Sequence, residues 1–121
     1  MPNSAVDWRS KEVFDRALYQ RLDEETGGAG LEIVATLLSV ASSRKEALLE
    51  AARAGNGADL ARLAHTAKSG ARSLGLLRLA EFCDQIERQP AKDAETLAAM
   101  CPDIEHEFET AIAVMRELQQ G

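Results

Sequence analysis

The chain has 121 residues, a formal net charge of −6, 4% aromatic residues and 3 prolines. That length is one domain with enough chain to bury a core, and the abundance of Ala and Leu with few aromatics favours helices packed on helices. The acidic balance argues against nucleic acid as a partner, because binding phosphates takes a basic surface, and the lack of a signal peptide or of an apolar run of about 18 residues predicts a cytoplasmic chain with no direct membrane insertion.

Residues 1–10 read as a flexible lead-in, with Pro2, Asn3 and Ser4 as breakers. Ser10 is placed to cap a first helix from Lys11 to about Glu25, with Val13, Phe14, Ala17, Leu18 and Leu22 on its apolar face. The run from Thr26 to Gly30 holds three glycines and breaks the chain.

Leu31 to about Arg53 reads as one long helix with two apolar stripes. Leu31, Val34, Leu38, Ala41, Leu48 and Ala52 form the first; Ile33, Leu37 and Val40 form a second beside it. A helix this wide in apolar surface either packs both stripes in a bundle or leaves one for a partner. Gly55-Asn56-Gly57 is a turn, and Asn56 or Asp59 can cap the helix that follows.

That helix carries the informative residues. Leu60, Leu63, Ala64, Ala67, Ala71 and Leu74 make one buried stripe, and Gly75 suits the position just past its end. His65 is out of phase, about 140° round from Leu60 at about 100° per residue. It shares its face with Ala61, Arg62, Lys68, Ser69 and Arg72. Gly70 sits inside the helix, where glycine costs about 1 kcal/mol against alanine. Its smallness serves either a partner backbone approaching the imidazole or close packing of a second helix. Charge is uneven along the chain. Arg62, Lys68 and Arg72 surround His65 with only Asp59 against them, whereas seven carboxylates lie between Asp93 and Glu117.

A fourth helix runs from Leu76 to Gln89, with Leu76, Leu79, Ala80, Cys83 and Ile86 inward and Glu87 at the edge of that face. Gln89 to Lys92 breaks the chain. Asp93 starts a last helix with Leu97, Ala98, Ile104, Phe108, Ala111, Ile112, Met115 and Leu118 on its core face. Pro102 cannot donate to the carbonyl of Ala98, so a kink or restart is predicted there. His106 is off the apolar stripe among carboxylates and reads as a surface histidine. Cys83 and Cys101 lack CxxC spacing and read as reduced thiols at apolar helical positions.

The segment His65-Thr66-Ala67-Lys68-Ser69-Gly70, with Leu74-Gly75 and then Cys83-Asp84-Gln85-Ile86-Glu87, resembles the signature of histidine-containing phosphotransfer (HPt) domains. That signature is His-x-x-Lys followed by two small residues, Leu-Gly several residues on, and an apolar helix closing on Cys-x-x-Leu/Ile-Glu. Ala67 departs from it, standing where the family usually has a larger aliphatic residue. The resemblance implies an all-α antiparallel four-helix bundle with an additional N-terminal helix across its end. It implies that His65 accepts a phosphoryl group from a receiver-domain aspartate and passes it on. It also implies that the position of Glu87 lies near that histidine, where a carboxylate could accept the Nδ1–H and expose Nε2; the alternative for Glu87 is an ordinary solvated side chain near a helix end.

Under this reading Lys68 and Arg72 offset the phosphoryl charge. Ala61, Arg62, Ser69 and Gly70, with the strip of Ile33, Leu37 and Val40, dock the partner. The expected partners are response-regulator receiver domains, and a hybrid histidine kinase of which this chain could be a cytoplasmic part. No cofactor or metal is expected on the chain itself; Mg²⁺ belongs to the receiver's acidic pocket. A monomer is expected.

Rival readings find less support. A ferritin-like di-iron bundle needs paired Glu-x-x-His motifs, and the nearest is one Asp103-x-x-His106. There is no Walker loop or Gly-x-Gly-x-x-Gly, hence no recognisable route to ATP. Ser69 has no acidic third member for a Ser-His-Asp triad. Two non-transfer alternatives stay open: a helical interaction module that regulates a partner by binding, and a dimer formed through the second stripe of the long helix.

Overall fold

The computed structural model describes residues 7–88, 91 and 93–121. Helices follow in the order α1 (Arg16–Glu25), α2 (Gly30–Arg53), α3 (Gly57–Leu74), α4 (Leu77–Arg88), α5 (Ala94–Ala99) and α6 (Cys101–Gln120). No strand occurs among the described residues. α2, α3, α4 and α6 form the antiparallel four-helix bundle, and α1 is the additional N-terminal helix, packed on α2 and α3. None of the described helices is long and apolar enough to cross a membrane.

The heptad-like stripes account for the core. Val34, Ala41, Leu48 and Ala52 of α2 face Leu60, Ala64, Ala67, Ala71 and Leu74 of α3, all buried. Leu79, Ala80, Cys83 and Ile86 close it from α4, and Ile104, Phe108, Ala111, Ile112 and Met115 from α6. Beside Ala67 a cavity of about 30 Å³ is lined by Leu37, Ala41, Phe108 and Met115. Three residues assigned to apolar faces end in solvent instead. Leu31 is 51% exposed, and Ala17 and Ala98 are also exposed. Each lies in the first or last turn of a helix.

The beginning of the chain differs from the expectation. Residues 1–6 lie outside the described residues, but Asp7–Ser10 is no loose lead-in. Asp7 caps a 3-10 turn, Trp8–Ser10, by accepting from the Arg9 N–H. Trp8 is buried, with its ring 4.7 Å from that of Phe82 on α4. The Arg9 guanidinium covers the indole and reaches Asp103 of α6 at 2.9 Å. The burial of one large aromatic holds this segment, which has no periodicity to reveal it.

α1 begins at Arg16 and not at Lys11, because Asp15 is the better-placed cap. Its carboxylate accepts from the N–H groups of Ala17 and Leu18, while the Ser10 hydroxyl donates to the Asp7 carbonyl instead. The Asp15 N–H donates to the Gly75 carbonyl at 2.8 Å, and the Asp23 carboxylate accepts from the Gly30 N–H at 2.8 Å. α1 therefore bridges the end of α3 and the start of α2. Gly75 has φ +89°, and a Cβ there would stand 2.6 Å from the Asp15 carbonyl oxygen, so the residue after α3 has to be glycine. At the other end of the bundle the last helix restarts as predicted. Asp93 caps α5 through the Thr96 N–H, and Pro102 falls in the first turn of α6, where no donor is needed.

Candidate functional site

α3 is fixed at both ends, by Asn56, whose side chain accepts from the Asp59 N–H at 3.0 Å, and by left-handed Gly75. Its buried alanines, Ala64 and Ala67, seat it closely on its neighbours, and His65 between them projects outward with its side chain 67% exposed. Across the groove, α4 turns Cys83 and Ile86 inward, which brings Asp84 and Glu87 to the rim facing α3.

Glu87 is where the two helices meet chemically. One carboxylate oxygen contacts His65 Nδ1 and the other accepts from Lys68 Nζ. Lys68 also donates to Asp84 at 3.2 Å, and Asp84 takes Arg88 Nε at 2.7 Å on its other oxygen. Lys68 and Asp84 are each only 17% exposed along their side chains, so solvent screens the cluster incompletely. The hydrogen bond from Lys68 holds Glu87 below the ordinary carboxylate range, with His65 adding to the effect. Glu87 in turn raises Lys68 above the ordinary lysine value. At Asp84 burial pushes upward, but Lys68 and Arg88 outweigh it and the carboxyl is lowered. Directly beneath, buried Cys83 is pushed up to about 12, which makes it an inert thiol and no nucleophile. Cys83 and Cys101 are both free.

The structure thus joins three of the residues singled out from the sequence: His65, Lys68 and Glu87. The carboxylate contact is made at Nδ1, so Nε2 is the ring nitrogen left without this partner. Arg72 is not in this cluster. It is exposed, makes no ion pair among the described residues, and lies seven residues on, about 10 Å along the helix axis. Arg62 is tied to Asp59, with Nε at 3.2 Å. Ala61 is half-buried and Ser69 exposed. His106 lies on α6 with its side chain 69% exposed, away from this cluster.

Gly70 faces α2. A Cβ placed on it would stand 2.8 Å from Leu37 Cδ2, so the missing side chain makes room for Leu37, and Gly70 also lines an open groove. Ile33, Leu37 and Val40 are all half-buried. Ile33 and Leu37 edge an open groove that continues over Gly70 and Ser73 of α3 and Leu22 of α1. The second stripe of α2 therefore both packs and remains accessible. Asp84 is read from the sequence only inside the motif, with no role, and Arg88 is not singled out there. The signal was there: Asp84 stands one turn before Glu87 on the same face, and Asp84 and Arg88 have the i, i+4 spacing of a helical ion pair.

Among the described residues no group of three or more His, Cys, Asp or Glu side chains is placed to hold a metal ion. The Hpt domain family model matches residues 32–119. The solved structure of histidine-containing phosphotransfer protein B (HptB) from Pseudomonas aeruginosa PAO1 superposes with a TM-score of 0.75 over 92% of this chain and 97% of that one, at 22% identity, and so shares its fold. No curated protein matches the chain. With a bundle of this fold, and with the family's motif residues gathered around one exposed imidazole, the chain belongs to the Hpt domain family, whose members are phosphocarriers of two-component phosphorelays and not enzymes.

Proposed function

We propose that His65 is the phosphoryl carrier of this chain, loaded by the phosphorylated aspartate of one receiver domain and discharged to another. The observation that supports this most directly is the contact between Glu87 and Nδ1 on an imidazole that is otherwise 67% exposed. With the proton held on Nδ1, the Nε2 lone pair attacks the phosphorus of the receiver's aspartyl phosphate. The Nε2–P bond forms as the P–O bond to the carboxylate breaks, and the electron pair leaves with that carboxylate. The imidazole becomes cationic and keeps its Nδ1–H on Glu87. Reversal on a second receiver empties the carrier.

Lys68 is the cation nearest the imidazole's carboxylate and is the residue we assign to the phosphoryl group. Arg72, two turns away, suits a contact with the partner better than one with the phosphate. Ala61, Arg62, Ser69 and the strip of Ile33, Leu37 and Val40 form the docking surface around the site. Mg²⁺ enters with the receiver's own acidic pocket. A cytoplasmic monomer serving response regulators, with a hybrid histidine kinase upstream, completes the proposal.

The test is transfer of label from phosphorylated receiver domains with Mg²⁺ to wild type, His65→Gln and His106→Gln. Acid-labile, base-stable label that is lost only in His65→Gln is the expected result. Label that persists in His65→Gln, or no label from any receiver, overturns it and favours a module that acts by binding alone.

A further inference from the structure

α3 and α4 share an alternating chain of charges next to His65. It runs from the imidazole to Glu87, to Lys68, to Asp84 and on to Arg88, which also reaches Glu81 at 3.4 Å. Glu87 is committed at both oxygens, one of them to His65. Asp84 has no contact with His65. Its two oxygens hold Lys68 at 3.2 Å and Arg88 at 2.7 Å.

A lysine ammonium has three N–H donors, and here two are spent on carboxylates. A phosphoryl group on His65 Nε2 brings roughly −1.5 to −2 charges and three strong acceptors. Lys68 serves it fully only by loosening one carboxylate. Glu87 is the poorer choice, because the phosphorylated imidazole is cationic and grips it harder. Asp84 is the better one, because Arg88 stays on it and no carboxylate is stranded.

We infer that Asp84 is a positioning residue that competes with the phosphoryl group for Lys68 and thereby limits how far transfer to His65 proceeds. The inference rests on the carrier reading of His65. Arg88 acts in the opposite sense, since by holding Asp84 it weakens the grip of Asp84 on Lys68.

The experiment measures the equilibrium share of label between a phosphorylated receiver domain and the full chain, with Mg²⁺. Asp84→Asn keeps the shape and removes the charge. It is expected to move the equilibrium toward phosphohistidine by about two- to fivefold, the size of one partly exposed ion pair, and to change nothing in a Lys68→Met background. Arg88→Met, whose side chain is 51% exposed in the parent and tolerates loss, is expected to lower the phosphohistidine share and gives a second reading should Asp84→Asn fold poorly. A labelled wild type with an unchanged or lower share in Asp84→Asn overturns the inference and leaves the carrier reading standing. An equal rise in the Lys68→Met background also overturns it, by showing plain charge repulsion. A wild type that takes no label on His65 removes the carrier reading and the inference together.

Discussion

Glu87 of α4 meets Nδ1 of His65 on α3 although 22 residues separate them in the chain. The contact decides which imidazole nitrogen faces solvent, and it depends on the register of two helices joined by little more than Gly75 and Leu76. Left-handed Gly75 reverses the chain sharply enough for α4 to lie back along α3. Glu87→Ala should shift the neutral imidazole toward the Nε2–H tautomer, read from the ¹⁵N shifts of the ring, and slow phosphotransfer by about two- to tenfold, the scale of one exposed charge-assisted hydrogen bond. Glu87→Gln keeps an acceptor for Nδ1–H and should retain the tautomer while removing the negative charge that faces Lys68. An unchanged ring spectrum in Glu87→Ala would sink this account.

Gly70 offers a separate test of why a helix interior holds a glycine. In an exposed helix, Gly70→Ala would stabilise by about 1 kcal/mol. Here the new Cβ meets Leu37 Cδ2 at 2.8 Å and Leu37 has to swing toward the open groove. We expect Gly70→Ala to lie within about 1 kcal/mol of wild type, and to become clearly stabilising once Leu37→Ala clears the space. A double-mutant cycle by urea denaturation measures this; a coupling near zero would mean that Leu37 is not what the glycine accommodates.

The stripes of α2, α3, α4 and α6 were legible because a bundle core repeats with the helix period, and the His65 face followed from being out of phase with such a stripe. The Pro102 restart was legible because the ring forbids a specific hydrogen bond. Trp8 was not legible. A single aromatic in a ten-residue segment has no period, its partner Phe82 is 74 residues away, and Asp103, which holds the neighbouring Arg9, is 94 residues from that arginine. The Asp84–Lys68 pair was hidden for a similar reason, since it needs the register between α3 and α4, which spacing within one helix does not fix.

The N-terminal strap is accordingly expected to matter for stability. Trp8→Ala should cost about 3 kcal/mol, in the range for removing a large core aromatic, and lower the melting temperature by several degrees. Trp8 is the sole tryptophan, so its emission should be blue-shifted in the folded chain and move to the red with the unfolding of α4. A melting temperature unchanged by Trp8→Ala would return the segment to a loose lead-in.

The ionisable groups set a stability window with one limb on each side. Glu87 and Asp84 ionise more readily folded than at their ordinary values of 4.5 and 3.8. The unfolded chain therefore takes up protons first, and their contribution is whole above those values and lost as pH falls through the lowered folded ones. Cys83 is shifted the other way by burial, from 9.0 to about 12. The unfolded thiol ionises first, so its contribution is whole below 9.0 and is lost as pH rises toward about 12. Lys68, raised above 10.5 chiefly by Glu87, adds a loss beginning higher still. Urea midpoints should thus be level from just above 4.5 to 9.0 and fall on both sides. Cys83→Ala should flatten the first part of the alkaline limb while leaving the acid limb in place, and Lys68→Met should weaken the acid limb, because the carboxylates lose the cation that lowers them. An alkaline slope untouched by Cys83→Ala would show that the thiol is not the group responsible.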